Sequence, residues 1–93
     1  MVIGTAEIRL RMHDARSRKD KRNVLNALKD RLRNKFNVSV AEVDGQEMIQ
    51  GGTIAVTQVS NDSRYLNSCL DKVVNAVRSF PPVDVVDYKL SIL

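Results

Sequence analysis

The sequence predicts an α+β sandwich: two βαβ units joined by a hairpin, a four-stranded antiparallel sheet, and both helices on one side of it. Three patterns support this. Residues 2–12, 37–44, 53–60 and 83–93 read as strands, the first and last with clear apolar–polar alternation. Two intervening stretches repeat apolar residues at spacings of three and four, as amphipathic helices do. Turn and stop signals, Asp44-Gly45, Gly51-Gly52 and Pro81-Pro82, fall between these elements rather than inside them. The order βαββαβ is that of a ferredoxin-like domain, and 93 residues suffice for one such domain spanning 1–93.

Each element has its own justification. In the first strand, Val2, Ala6, Ile8, Leu10 and Met12 share one face, opposite Thr5, Glu7, Arg9 and Arg11. Residues 13–17 form a loop, and Ser17 caps a helix whose first turn contains Asp20, a variant of the capping box. Leu25, Leu28, Leu32 and Phe36, widened by Val24, make the apolar stripe of that helix. The hairpin loop holds Met48 and Ile49 and closes on Gly51-Gly52 before the third strand. The second helix starts from the cap candidates Ser60, Asn61 and Asp62, and its stripe is Leu66, Cys69, Leu70, Val73, Val74 and Val77. In the last strand, Val86, Tyr88, Leu90 and Ile92 alternate against Asp87, Lys89 and Ser91. The uncovered sheet face is then expected to present Glu7, Arg9, Arg11, Thr53, Thr57, Lys89 and Ser91, an arrangement that also suits a homodimer through the sheet.

The feature that speaks to function is electrical. Arg16, Arg18, Lys19, Lys21, Arg22, Lys29, Arg31, Arg33 and Lys35 are nine of the fifteen basic residues, and they lie within twenty positions. Residues 1–35 carry a net charge of +7 and residues 36–93 a net charge of −3. Such asymmetry points to a polyanionic partner. At 100° per residue, Arg18, Arg22, Lys29 and Arg33 line one flank of the apolar stripe, with Asn26 among them. Arg18, Lys19, Lys21 and Arg22 stand in the first turns, where the helix dipole disfavours cations. A helix serving solubility alone would interleave signs at i, i+4. The competing readings are a solvated face and a surface for an acidic protein.

The segments at 17–24 (Ser-Arg-Lys-Asp-Lys-Arg-Asn-Val), 36–44 (Phe-Asn-Val-Ser-Val-Ala-Glu-Val-Asp), 59–62 (Val-Ser-Asn-Asp) and 85–93 (Val-Val-Asp-Tyr-Lys-Leu-Ser-Ile-Leu) resemble the YlxP-like family of small bacterial proteins of unknown function. The resemblance spans nearly the whole chain. It implies a ferredoxin-like fold and, from the family's genomic company, work connected with the ribosome or RNA. Two positions depart from the family pattern: Arg18 replaces a common Leu, and Met48-Ile49 stands where a Trp is frequent.

Other functional classes find little footing. His13 is the sole histidine, placed in a loop beside Asp14 with no paired nucleophile. Cys69 falls in the second helix stripe and is expected in the core. Soft-metal ligands at metal spacing are absent, and Glu42, Asp44 and Glu47 read as a solvated turn. The third strand holds no aromatic residue, so stacking of bases on the sheet is not expected. The single cysteine and the absence of a signal-like N-terminus fit a cytoplasmic setting. The expectation is a non-enzymatic, cofactor-free protein that engages RNA or the ribosome through Arg16, Arg18, Lys19, Lys21, Arg22, Lys29 and Arg33. The alternative is a homo-oligomeric small-ligand or regulatory module using the open sheet face.

Overall fold

A computed structural model describes residues Met1–Leu93. The elements are β1 (Val2–Arg11), α1 (Arg18–Lys35), β2 (Ser39–Asp44), β3 (Gly51–Ser60), α2 (Ser63–Arg78) and β4 (Asp84–Ile92). The strands form one antiparallel sheet in the order β2-β3-β1-β4. Together with the two helices this is the expected ferredoxin-like α+β arrangement. No helix is long and apolar enough to cross a membrane.

Local chemistry explains the element boundaries. Ser17 Oγ accepts the Asp20 amide at 3.1 Å, and the Asp20 carboxylate accepts the Arg16 amide at 3.0 Å, so two free donors at the start of α1 are satisfied. Asp62 caps α2 by accepting from the Arg64 and Tyr65 amides. At its C-terminus α2 ends before Pro81-Pro82, which cannot donate to a continuing helix.

Ala6, Ile8 and Leu10 of β1, with Met12 just beyond its end, are buried at the expected period of two. They pack with Leu25, Leu28 and Leu32 of α1 and Leu70, Val73, Val74 and Val77 of α2. Full burial of each large aliphatic side chain contributes about 1.5–3 kcal/mol before entropy is counted. On the other face, pairing brings Arg9 opposite Thr53 and Asp87, Glu7 opposite Lys89, and Thr5 opposite Thr57 and Ser91.

Four expectations need correcting. β2 begins at Ser39, two residues later than the pattern suggests. β3 begins at Gly51, because Gly51 and Gly52 pair with Arg11 and Leu10 instead of closing the loop. Val86 leaves the apolar face of β4. The ladder shifts so that Leu10 pairs with Val85 and Arg9 with Asp87; Val85 packs against the core and Val86 is exposed. Cys69 is only partly buried and lies outside the core cluster, one helical turn from Tyr65. The neighbouring Cys69 side chain, with a contribution from desolvation, raises the Tyr65 phenol above its usual 10.0. A Cys69→Ala variant is therefore expected to move the Tyr65 titration down toward 10.0, read as phenolate absorbance during an alkaline titration.

Candidate nucleic-acid interface

The cations of α1 divide by helical phase, and the structure gives each group a different environment. Arg18, Arg22 and Lys29, with Asn26, form one wall of a groove of about 250 Å³ between α1 and the β2–β3 hairpin. Glu42 and Gln46 stand on the hairpin side. Arg33 continues the row along the helix, and its Nη2 donates to the Val40 carbonyl at 3.1 Å. That bond satisfies an acceptor near the exposed β2 edge while the residue as a whole remains exposed. The row predicted from spacing is thus brought together.

The remaining candidates lie elsewhere. Arg16 is exposed beside the hairpin tip, near Glu47, Met48 and Ile49. Lys19 is exposed on the outer surface of the first turn. Arg31 and Lys35 each hold their charge 5.7 Å from a ring centroid, of Phe80 and Phe36 respectively.

Lys21 is the exception. The charge run places it among the cations that engage a polyanion, but only 5% of its side chain is exposed. Its ammonium lies 2.8 Å from Glu42 Oε2 and donates to the carbonyls of Gly45 at 2.8 Å and Met48 at 2.6 Å. An ammonium has three donors, and these three oxygens engage them. The physical reason for its inward position is helical phase. Lys21 precedes Leu25, Leu28 and Leu32 by four, seven and eleven residues, so it lies on the apolar stripe itself. That spacing is visible in the sequence, but the surrounding run of charge masks it.

Glu42 was expected in a solvated turn. Its neighbour across the ladder is the fully buried Ile54, so it points toward the helix layer, with 19% of its side chain exposed. A Cβ built on Gly52 would meet Glu42 Oε2 at 2.5 Å and Lys21 Nζ at 3.4 Å, so the ion pair lies directly against bare backbone. Gly45 has φ +77, the left-handed region that turns the chain so its carbonyl reaches Lys21. Gly52→Ala is expected to separate the pair and cost about 1–3 kcal/mol of stability, measured by urea denaturation.

The His13 region has a different geometry. His13 Nδ1 lies 3.0 Å from Asp84 Oδ2, and its Nε2 lies 3.9 Å from Asp14. About half of its side chain is exposed. Gln50 Nε2 donates to the carbonyls of His13 and Ala15 at 3.2 and 3.0 Å, tying this loop to the start of β3. No hydroxyl or thiol is hydrogen-bonded to the imidazole.

Three of the four phenyl or phenol rings have a cation over them, Arg78 lying 5.1 Å from the centroid of Tyr88 in addition to the two pairs above. The site so defined is a cation-walled groove on a ferredoxin-like scaffold, suited to oxyanions and poorly suited to base stacking.

The comparisons give the family. A family model described as "Protein of unknown function (DUF503)" matches residues 3–90. The "Uncharacterized protein YlxP" of Bacillus subtilis (strain 168) is 35% identical over 83 residues, which cover 89% of this chain and 90% of that relative. The chain belongs to this YlxP-like family of unknown function, as its motifs suggested.

Proposed function

We propose that this is a non-enzymatic RNA-binding protein of the cytoplasm, working on ribosomal RNA or the ribosome through the groove beside α1. The observation that carries the reading is the alignment of Arg18, Arg22 and Lys29 on one groove wall, continued by Arg33. Glu42 is the only acid in the groove, and Lys21 already compensates its charge, so the three outward cations set the local field. Arginine forks bind phosphate oxygens in pairs, and Asn26 and Gln46 supply neutral donors for phosphate or sugar.

With most rings already covered by cations, recognition rests on backbone phosphates and shape, with little dependence on base sequence. Four phosphate contacts give a slope of log affinity against log salt of about −3 to −4. The test is binding of purified protein to bulk ribosomal RNA and isolated ribosomal subunits across a salt series. A slope in that range supports the proposal. Absence of binding at low salt, or affinity independent of salt, overturns it.

A further inference from the structure

The two edges of the sheet are treated differently. β2 is six residues long and has its Val40 carbonyl covered by Arg33. These are the usual devices that prevent a sheet edge from pairing further. β4 is nine residues long, its one bulge sits at Val86 near its start, and Val86, Tyr88 and Ile92 are 45%, 40% and 37% exposed. We propose that the outer edge of β4 docks a second copy of this chain, strand against strand, antiparallel about Tyr88.

Backbone parity fits this pairing. Ile3 and Leu93 exchange both hydrogen bonds of a ladder pair, at 3.0 and 2.7 Å. Alternation along the ladder then turns the amides and carbonyls of Tyr88, Leu90 and Ile92 outward, away from β1. The Tyr88 amide confirms this parity, because it donates to its own Asp87 side chain at 2.9 Å rather than to β1. A two-fold axis through Tyr88 pairs the stretch from Val86 to Leu90 of the two copies with the outward Tyr88 at its centre, and the bulge at Val86 ends the ladder there. It exchanges the local Tyr88–Asp87 bond for an interstrand bond and frees the carboxylate.

Charge selects the register. With Tyr88 opposite its own copy, Asp87 faces Lys89 of the partner subunit, and Lys89 faces Asp87 of the partner subunit. Moving the axis by one residue toward either end sets Lys89 against Lys89 or Asp87 against Asp87. Within one copy, Lys89 already neighbours Glu7 and Asp87 neighbours Arg9. The paired copies therefore carry two rows of alternating sign across the open face, Glu7–Lys89 in one copy continuing into Asp87–Arg9 of the partner subunit. On the helix side the two Tyr88 rings meet, each with its Arg78 alongside. The alternating rows supply the complementarity that favours a second copy over an unrelated peptide strand.

The test uses two single variants of exposed residues, Asp87→Lys and Lys89→Asp, with circular dichroism as the folding control. Sedimentation velocity over a concentration series reads the assembly. The wild-type protein is expected to form a concentration-dependent dimer. In a homodimer of Asp87→Lys both facing pairs become cation–cation, and in one of Lys89→Asp both become anion–anion, so each dissociation constant should rise at least tenfold. Mixed one to one, the two variants match cation to anion at both pairs, and the mixture should dimerise at near wild-type concentration. A wild-type monomer at all concentrations overturns the proposal. So does a dimer unaffected by either variant, which would place the contact elsewhere, or a folded mixture that fails to recover. None of these readings depends on RNA.

Discussion

Lys21→Met is expected to cost this protein about 3–5 kcal/mol of folding stability, because it removes one partner of a buried ion pair and leaves Glu42 uncompensated. The same substitution deprives the Gly45 and Met48 carbonyls of their donor, so the turn of the β2–β3 hairpin loses its tie to α1. Small domains have about 5–15 kcal/mol in total, so much of the margin would go. At about 4–8 °C per kcal/mol for a domain of this size, the melting temperature should fall by well over 10 °C. A double variant, Lys21→Met with Glu42→Leu, should recover much of the loss, because an apolar pair leaves no buried charge. Urea denaturation followed by circular dichroism measures both. A single variant within about 0.5 kcal/mol of wild type would remove Lys21 from its assigned role.

The second large effect is on binding. Replacing Arg18, Arg22 and Lys29 together by Glu is expected to abolish detectable RNA binding at physiological salt while leaving the fold intact. Each substitution deletes a phosphate contact and adds a repulsion. Non-specific affinities of about 10⁻⁴ to 10⁻⁶ M leave little to lose before binding disappears. The three residues project from the helix flank and leave the Lys21–Glu42 pair and the leucine stripe in place. Arg33 is left out of this variant because its guanidinium also holds the β2 edge. Filter binding or fluorescence anisotropy against ribosomal RNA reads the outcome, and unchanged affinity would move the RNA surface away from α1.

These two expectations show how unevenly the chain reveals itself. The strand β1 is legible because one face meets the core and the other does not, which writes a period of two into Ala6, Ile8 and Leu10. The start of β3 is not, because Gly51 and Gly52 have no side chains from which a pattern could be read. Their glycine character comes from outside the strand, from Met48 lying against Gly51 and from Glu42 and Lys21 against Gly52. In β4 a shift of register changes which of two adjacent valines faces inward, information that resides in the pairing with β1. The row of Arg18, Arg22, Lys29 and Arg33 follows from helical periodicity alone and needed no tertiary knowledge. The inward position of Lys21 is equally written in its phase with Leu25, Leu28 and Leu32, whereas its partner Glu42 lies on another element whose outward-looking turn context conceals it.

The strand order also bears on how the molecule comes into being. Ile8, in a central strand, lies between Ile54 and Tyr88, neighbours separated from it by half the chain and by nearly all of it. The first strand synthesised thus acquires its two flanks only after most of the polypeptide exists. Closing such long loops is entropically expensive, and chains dominated by distant pairings fold in milliseconds to seconds rather than microseconds. Until β4 arrives, β1 has a bare edge and the layer beneath α2 lacks Val83, Val85 and Leu90. A nascent chain in that condition exposes sticky apolar surface and an unpaired strand together, the combination most prone to misassociation during synthesis.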